Sequence, residues 1–530
     1  MSYARTARLS TVAPISAIAL VLGLSAACGV SGPSSGGKAE ITIAAQAPLT
    51  SLDMARTNSE SSVLSLVTEP LERAKSDGTV TPVLATSVAV SPGKLVYKIR
   101  PKVMFTDGKP LTTADVVYSM KRLADPKAAP QTASLLTAIK SIVASGPNEV
   151  TVMTNRVDPG LRNNLAFAIH VVEKSGIEAH PKDFGSASAP PIGTGPYKVV
   201  KFSTDQIVLA SNDKYWGSKP AFKTITSKYI PDDNTARLAM RSGDLDVKFL
   251  RDVGSAGQWK SIPRTSLAVL PTTSLDYLSF DVTKAPFDDI HVRKAIAYAV
   301  DRPALSKVIY GGYARVLQGM LTPEELGVVS SPADAKTFLA SLPEFDFDLV
   351  KAKAELAQSQ HPNGFSVTVP VTANIAFGEK TMLSLQEKLK PLGIHINLKT
   401  LPFDQWVATL LSHKNLGMQT MSYGPITPDP AAVLTLVAAK EQAVPNGNNT
   451  ANFYPAAVQQ SLSSLGTSTD KSARSAAAKL ILTAIAEQVP YIPLYNKQTI
   501  IVTGNGLTYE MAGADYGDYV TGAWVDHVRG

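Results

Sequence analysis

Cysteine is nearly absent from this chain, which contains only Cys28 in 530 residues. A single cysteine excludes an internal disulfide and a cysteine-based zinc site. Charged residues are also scarce, at 18% against a usual share of about a quarter, while hydrophobic residues make up 44%. This balance favours a folded protein over a disordered one, and the length suffices for about two or three domains.

Long apolar runs and basic clusters are missing as well. After residue 27 no run of about 18 uncharged apolar residues occurs, so we expect a mature chain that is soluble and spans no membrane. The formal net charge is +7. No basic cluster is interleaved with aromatic residues, so nucleic-acid binding is not expected.

Patterns that suggest catalysis or metal binding have simpler explanations in this sequence. The paired carboxylates Asp232-Asp233 and Asp288-Asp289 stand at predicted helix starts, where capping explains them. Gly32-Pro33-Ser34-Ser35-Gly36 matches a serine-hydrolase nucleophile pattern but lacks the strand and helix that this motif requires. No two histidines are spaced as a zinc-binding pair on one predicted helix. The histidines are His170, His180, His291, His361, His395, His413 and His527. We therefore predict no enzyme, no catalytic residue, no metal site and no cofactor.

The amino terminus has the layout of an export signal. Arg5 and Arg8 supply positive charge, and Thr11 to Leu24 is an apolar run that only Pro14 interrupts. This run is shorter than the roughly 20 residues of a transmembrane helix. Ser25-Ala26-Ala27 offers small residues for cleavage, so we predict a signal peptide over residues 1–27.

Cys28 follows directly after these small residues and precedes a Gly/Ser-rich stretch. The pattern resembles a bacterial lipobox, although Ser25 stands where an aliphatic residue is usual. The resemblance implies that Cys28 is lipidated and that residues 28–38 form a tether to the membrane. The alternative is ordinary signal cleavage that leaves Cys28 as a spare thiol.

The stretch from Pro190 to Leu250 has the clearest local pattern. Gly193-Thr194-Gly195-Pro196 predicts a turn, and two short strands that Ser203, Thr204 and Asp205 join predict a hairpin. After the hairpin, the pattern predicts a strand over residues 222–230, a helix that ends near Gly243 and another strand. This order favours a parallel strand pair with a right-handed crossover.

From Phe365 onward, strands and helices alternate. The pattern predicts strands over residues 365–371, 394–399 and 416–422, with helices over residues 379–390 and 404–411 between them. Such alternation indicates an α/β sheet with parallel pairs.

Three strings carry a resemblance to a known family. They are GTGPYKVVKF, NDKYWGSKPAFKTITSKYIPDDNTARLAMRSGDLDV and PFDDIHVRKAIAYAVDRPAL. In this order they resemble the bacterial extracellular solute-binding proteins of the dipeptide, oligopeptide and nickel class (family 5), which deliver ligands to ABC importers. The resemblance extends over roughly residues 60 to 500.

This resemblance implies a two-lobed, hinge-linked periplasmic-binding-protein-like α/β fold of class II, with an extra subdomain in the first lobe. The first lobe is expected to comprise residues 39–271 plus 489–530, and the second residues 272–488. The chain would cross near residues 271–275 and return near residues 489–493. The implied protein is an extracytoplasmic monomer that gives a peptide or other small solute to a membrane permease, whose ATPase is a separate subunit.

The loop after the predicted strand at 416–422 is the expected ligand-binding segment, because ligands bind at the carboxyl ends of strands in α/β lobes. Peptide-binding relatives carry Trp-x-x-Asp-x-x-Asp/Glu-Pro there. An alignment on Asp429-Pro430 puts Tyr423 at the Trp position and Ile426 at the position of the Asp that pairs with the ligand's amino group. The resemblance therefore implies ligand contacts from Tyr423, Gly424, Ile426 and Thr427.

Ile426 leaves the substrate class open. Without the carboxylate, the usual anchor for a free amino terminus is missing. A blocked or hydrophobic peptide, a metal chelate, an oligosaccharide or another small molecule would suit such a site, and Ile426 could also be a core residue. Two further classes stay open. A converging catalytic trio would favour an extracytoplasmic enzyme, and the absence of a partner permease would favour a ligand sensor for signalling.

Overall fold

The computed structural model describes residues 38–45, 48, 50–56, 61–373, 375–424 and 427–530. The predicted signal peptide, Cys28, most of the tether and Ile426 lie outside the described residues. Lys38–Gly530 forms one compact unit.

A seven-stranded sheet, here called the first sheet, contains the hairpin and the crossover predicted from residues 190–250. Its strands in spatial order are Tyr197–Phe202, Gln206–Ser211, Thr224–Tyr229, Glu40–Ala45, Val247–Phe249, Thr499–Thr503 and Ser266–Leu270. The hairpin is antiparallel, as predicted. Asp232 accepts a hydrogen bond from the Thr235 backbone N at 2.9 Å and so caps the helix Asp233–Ser242, which ends at Gly243 with a φ of +90°.

The predicted direct pairing of the two crossover strands is wrong. Thr224–Tyr229 and Val247–Phe249 both run parallel to Glu40–Ala45, which lies between them. Glu40–Ala45 is apolar and buried along most of its length, and such a strand fits the centre of a sheet whose two faces are covered. A pattern within residues 222–250 does not reveal an insertion from almost 200 residues earlier.

A four-stranded antiparallel sheet, the second sheet, has the order Ala314–Val316, Tyr491–Lys497, Leu275–Phe280 and Met418–Tyr423. The chain passes from the first sheet to the second between Leu270 and Leu275 and returns between Lys497 and Thr499. The division into lobes remains a prediction, and this strand pairing favours a return at Gln498 instead of residues 489–493.

A third sheet is antiparallel throughout and has its own hydrophobic core. Its strands in order are Ala85–Ser91, Lys94–Ile99, Glu149–Thr154 and Ile139–Gly146. Its core includes Leu95, Tyr97, Val116 and Val150. The third sheet is our candidate for the extra subdomain.

The alternating carboxyl-terminal region matches the prediction only in part. Phe365–Val371 and Ile394–Thr400 pair in parallel, as predicted. The third strand of the series, Met418–Tyr423, instead joins the second sheet antiparallel to Leu275–Phe280. All six residues of Leu275–Phe280 are buried, which suits a strand with a neighbour on each side.

The helices cover the sheets, and short strand pairs close the loops. The helices are Ser61–Leu64, Thr113–Leu123, Pro130–Ser134, Leu161–Ala168, Lys174–Ala179, Asp233–Ser242, Ala256–Lys260, Ile290–Ala299, Arg302–Tyr310, Pro323–Gly327, Pro332–Ala340, Leu349–Ala357, Ala376–Leu389, Phe403–Leu411, Pro430–Ala438, Ala456–Thr467, Lys471–Gln488 and Tyr516–Thr521. The short pairs are Glu69–Pro70 with His170–Val171, Glu72–Ala74 with Val80–Pro82, and Thr508–Tyr509 with Val528–Arg529.

The glycine turn packs directly against the backbone of a neighbouring segment. A Cβ atom on Gly193 would lie 2.0 Å from the carbonyl oxygen of Val67, and one on Gly195 would lie 2.4 Å from that of Leu66. No side chain fits at either position. The close approach, more than conformational freedom, explains why glycine stands here.

The same segment carries a buried carboxylate that joins several of the family-like motifs. Glu69 accepts hydrogen bonds from Thr194 Oγ1 at 2.7 Å, Tyr215 OH at 2.7 Å and Trp216 Nε1 at 2.8 Å. Burial raises the pKa of Glu69, although these three donors act in the opposite direction. The GTGP and YWG motifs therefore meet at one buried acceptor on the short strand Glu69–Pro70.

Candidate functional site

The predicted binding loop connects the strand Met418–Tyr423 with the helix Pro430–Ala438. Gly424 is exposed, whereas Thr427 is buried. The loop follows a strand, as the sequence predicts, and that strand is an edge strand of the second sheet.

Asp429 fixes the far end of this loop. Its side chain caps the helix Pro430–Ala438 by accepting from the Ala431 backbone N at 2.8 Å, and it also accepts from Arg474 Nη2 through both oxygens. The side chains of Arg474 and Asp429 are only 9% and 6% exposed. This carboxylate is consumed by structural contacts, so the site's chemistry comes from other residues.

One cavity, here called the loop cavity, has a volume of about 340 Å³ and lies between the binding loop and segments that flank the third sheet. Tyr423 and Thr427 line it from the loop side. Across from them its walls include Ser134, Thr137, Arg156, Asp158, Gly160 and Asn164.

Asp158 is the functional candidate in the loop cavity that sequence reasoning missed. Burial raises the pKa of Asp158; the nearby Arg156 opposes this shift, and the Asp429 carboxylate adds to it. Gly160 lies beside both carboxylates, because a Cβ atom there would be in ordinary contact, at 3.5 Å, with both Asp158 Oδ1 and Asp429 Oδ2. About 270 residues separate the two carboxylates in the chain, so no local motif signals their approach.

A second cavity, here called the hinge cavity, adjoins both connections between the first and second sheets. Its volume is about 350 Å³. It is lined by Phe249, Leu250, Arg251, Val253, Thr272, Thr273, Ser274, Gly424, Lys497, Gln498, Thr499, Tyr516 and Tyr519. Gly424 therefore borders the hinge cavity, while Tyr423 and Thr427 border the loop cavity.

Hydrogen bonds tie the two connections together. Asn496 Nδ2 donates to the carbonyl oxygens of Thr272 and Ser274, at 2.9 and 2.7 Å. The hydroxyls of Thr272 and Ser274 donate in return to the carbonyl oxygen of Lys497, at 2.6 and 2.9 Å. Because each segment satisfies polar groups of the other, the two connections are held side by side.

A buried acid lies behind the wall of the hinge cavity. Asp276 is fully buried and accepts a hydrogen bond from Tyr310 OH. Burial raises the pKa of Asp276, and the positive charge of Lys497 opposes this shift. Asp276 is the one acidic residue in the strand Leu275–Phe280, and the local sequence gives no signal that its carboxylate is buried.

Ile426 lies outside the described residues, so its predicted role, like the ligand contacts predicted for Tyr423, Gly424 and Thr427, stays a prediction. Among the described residues, no group of three His, Cys, Asp or Glu side chains is arranged to hold a metal ion. Across the same part of the chain, none of the helices combines the length and apolarity needed to cross a bilayer.

Comparison with known proteins gives the chain a family. The model of the bacterial extracellular solute-binding proteins, family 5, matches residues 79–444. The glutathione-binding protein GsiB of Escherichia coli O1:K1 is 26% identical over 435 residues, which span 80% of this chain and 82% of GsiB.

Solved structures share the fold. DppA from Helicobacter pylori in complex with the peptide STSA superposes with a TM-score of 0.72 at 21% identity, covering 93% of this chain and 98% of DppA. NikZ from Campylobacter jejuni in complex with Ni(L-His) superposes with a TM-score of 0.69 at 20% identity, covering 89% of this chain and 95% of NikZ. These likenesses confirm the periplasmic-binding-protein-like α/β fold. The matching family model and GsiB describe solute-binding proteins and not enzymes, as the sequence predicts. The chain belongs to the bacterial extracellular solute-binding proteins of family 5, which bind solutes outside the cytoplasm.

Proposed function

We propose that this protein captures peptides or peptide-like solutes and delivers them to the membrane permease of an ABC importer, whose ATPase is a separate subunit. The observation that carries the proposal is the position of the binding loop. Tyr423 and Thr427 line one cavity and Gly424 another, and in each case the opposite wall comes from a distant part of the chain. A solute in these cavities would contact both sides of the molecule at once. The match to a glutathione-binding protein, whose ligand is a peptide, supports the peptide class.

The proposed motion is closure of two lobes about the paired connections. The first lobe would comprise residues 39–271 together with the carboxyl-terminal segment from about residue 498. The second lobe would comprise the residues between these two segments. Ligand contacts to both lobes stabilise the closed form more than the open form, which shifts the population toward closure. The hydrogen bonds between Asn496 and the segment Thr272–Ser274 would keep the two connections together while the lobes move.

A non-peptide solute is the second candidate, and one observation favours it. Ile426 stands at the position where peptide-binding relatives carry the amino-anchoring Asp. A metal chelate, an oligosaccharide or another small molecule needs no carboxylate there. The structural match to NikZ, which was solved in complex with Ni(L-His), supports a metal chelate as one such ligand.

The same proposal includes attachment to the membrane. After removal of residues 1–27, Cys28 would carry the lipid, and residues 28–38 would tether a monomer to the outer face of the cytoplasmic membrane. A single acyl chain binds membranes only weakly, so firm anchoring requires at least one more chain on the same cysteine.

The test is calorimetric titration of the purified full-length protein. Glutathione and peptides of about two to five residues form one set of ligands; a nickel–histidine chelate and oligosaccharides form the other. The proposal predicts saturable binding of one or more peptides with one site per chain. Binding of a non-peptide alone would favour the second candidate.

A further inference from the structure

We infer that one edge of the first sheet docks on anionic membrane lipids and so orients the anchored protein on the bilayer. This surface, here called the basal edge, lies where the central strand Glu40–Ala45 begins. The inference goes beyond solute capture and rests on the proposed attachment through Cys28. The described segments of the basal edge are residues 38–40, 212–223, 241–246, 260–265 and 504–507.

The loop over residues 212–223 lies beside the first described residues of the chain. The strand Thr224–Tyr229 runs parallel to Glu40–Ala45 from the first residue of each, so both strands start at the basal edge. The backbone N of Lys223 donates to the carbonyl oxygen of Ala39 at 2.7 Å. This loop therefore places three exposed lysines on the edge where the chain enters the sheet: Lys214, Lys219 and Lys223.

Two further connections bring cations to the basal edge. The helix Asp233–Ser242 leads back to the start of a strand that is parallel to the central strand, so Arg241 in its last turn lies at this edge. The strand Ser266–Leu270 has the same direction, because the strand between the two is antiparallel to both. Two cations stand just before it, Lys260 and Arg264.

A buried carboxylate fixes the point at which the amino-terminal segment joins the basal edge. Asp246, whose side chain is 2% exposed, pairs with Lys38 Nζ at 2.5 Å and accepts from the Thr42 backbone N at 2.8 Å. Asn505 Nδ2 donates to the same carboxylate at 2.6 Å, and the Asn505 carbonyl oxygen accepts from Arg264 Nη2 at 2.7 Å. One connected network therefore holds the start of the described chain at this edge.

The chain length between Cys28 and Lys38 keeps the basal edge close to the bilayer. Lys38 follows Cys28 by ten residues, and ten residues reach at most about 35 Å even when fully extended. A lipid on Cys28 therefore confines the basal edge to a layer of about that depth above the headgroups. Contact between the edge and the headgroups is then frequent, and charge decides whether it persists.

The charges of the basal edge favour an anionic partner. Its segments contain seven cations and four acids, Glu40, Asp213, Asp244 and Asp246, which leaves a surplus of three positive charges. Five of the cations are exposed and take part in none of the ion pairs between described residues. They are Lys214, Lys219, Lys223, Arg241 and Lys260. Each cation that reaches an anionic bilayer raises the binding constant about fivefold.

The opposite edge of the first sheet has a different charge. Its turns over residues 203–205, 230–232 and 250–252 contain three acids and one cation. The hinge cavity adjoins this opposite edge, where Leu250 and Thr499 line it. Contact between the basal edge and the lipid therefore leaves the hinge cavity on the side of the sheet that faces away from the membrane, where solutes arrive.

The test measures the binding of residues 38–530 to lipid vesicles by co-sedimentation. This part of the chain forms one compact unit that contains all four hydrophobic clusters, and it lacks Cys28. The vesicles consist of phosphatidylcholine alone or of phosphatidylcholine with phosphatidylglycerol. We expect binding to the anionic vesicles to be about tenfold stronger or more. The difference should vanish at high salt, because the Debye length falls to about 3 Å at 1 M.

A triple variant removes the lysines of the loop over residues 212–223. Lys214→Gln, Lys219→Gln and Lys223→Gln together should weaken binding to the anionic vesicles about tenfold or more. The matched control removes the same charge from exposed lysines outside the first sheet, through Lys336→Gln, Lys353→Gln and Lys390→Gln. The control should bind the anionic vesicles within about threefold of the wild type. Circular dichroism checks that both variants fold.

Three results would overturn the inference. Equal losses in the two triple variants would show that total charge, and not the basal edge, is responsible. Equal binding of the wild type to neutral and anionic vesicles would show that the edge has no preference for anionic lipid. Binding to host membranes that trypsin treatment abolishes, without binding to vesicles, would assign the edge to a protein partner.

The vesicle experiment involves neither Cys28 nor a solute, so its failure leaves lipidation and solute capture intact. Attachment through Cys28 is measured separately, by fractionation of the full-length Cys28→Ser variant. A failure of the proposed attachment and a failure of the basal edge therefore give different results.

Discussion

Arg474 donates through Nη2 to both carboxylate oxygens of Asp429, at 2.7 Å each. The pair is nearly inaccessible to solvent and joins the helix Lys471–Gln488 to the start of Pro430–Ala438. Because Asp429 also caps the latter helix, one ion pair fixes the end of the binding loop. The loop's shape therefore depends on a residue about 45 positions away.

Arg474→Met should destabilise the protein by about 3–5 kcal/mol, because it leaves the Asp429 carboxylate buried without a cation. Chemical denaturation measures this change. Adding Asp429→Asn to Arg474→Met should recover at least about half of the loss, since asparagine keeps the helix cap and removes the charge.

The control for this prediction is Lys479→Met on the same helix. Lys479 pairs with Asp334 at 2.8 Å, but the side chains are 27% and 47% exposed. Exposed pairs contribute at most about 1 kcal/mol, so the change should be small. Equal losses in the Lys479 and Arg474 variants would contradict the importance given to the buried pair.

Gly193→Ala should severely destabilise the fold, by more than about 3 kcal/mol, because its Cβ atom would lie 2.0 Å from the Val67 carbonyl oxygen. Gly257→Ala is the matched control. Gly257 lies in the helix Ala256–Lys260 with no atom within 4 Å of the added Cβ, so alanine there should be neutral or stabilise by up to about 1 kcal/mol. Thermal denaturation measures the melting temperatures of both variants. Similar melting temperatures would refute the close approach at Gly193.

Glu325→Gln should change how stability depends on pH. Burial raises the pKa of Glu325 to about 8, and its Oε2 accepts the Thr322 backbone N–H at 2.7 Å. Between the ordinary value of 4.5 and about pH 8, the folded chain holds a proton at this site that the unfolded chain has lost. The free energy of unfolding therefore falls as pH rises through this window, by up to about 1.4 kcal/mol per pH unit for one proton.

In Glu325→Gln that contribution is absent, so the free energy of unfolding should decline less steeply between pH 5 and 8. The comparison of the two proteins at each pH removes the contribution of other groups, among them His170, whose pKa burial lowers to about 4. Parallel curves for wild type and variant would show that Glu325 titrates normally.

Tyr423→Ala should weaken ligand binding about tenfold or more and leave the fold largely intact, because Tyr423 lines the loop cavity and is only partly buried. Calorimetric titration measures the affinity, and circular dichroism checks the fold. Tyr454→Ala provides the control, since Tyr454 is 39% exposed and lines neither cavity. Unchanged affinity for a validated ligand in Tyr423→Ala would refute the placement of the site.

Cys28→Ser should release the protein from the membrane fraction of its native host, because the variant has no thiol to carry the lipid. Fractionation and immunodetection measure the release. An acyl-dependent membrane association that persists in Cys28→Ser would contradict lipidation at this residue.

Local features of the fold followed from local sequence. Asp232 and Asp289 cap helices, as their positions before apolar stripes predict, and the strands of the hairpin around residues 203–205 lie where the alternation predicts them. Each of these features depends on residues that are near neighbours in the chain. The capping oxygen and the turn act over a few positions, so a sequence pattern contains the whole interaction.

Features that depend on distant residues could not be predicted from the local sequence. The strand Glu40–Ala45 enters the crossover from outside, and Asp158 approaches Asp429 across about 270 residues. Arg251 and Lys497 both line the hinge cavity, although about 250 residues separate them in the chain. The binding loop was located through a family motif, and its neighbours became apparent only when the fold placed the walls opposite it.

Mass spectrometry of the solutes that co-purify with the protein tests the central claim most directly. The full-length chain would be isolated from its native host without denaturation, and its bound species released and identified. We predict a series of short peptides with varied sequences. A single non-peptide compound would contradict peptide capture and move the protein to the second substrate class.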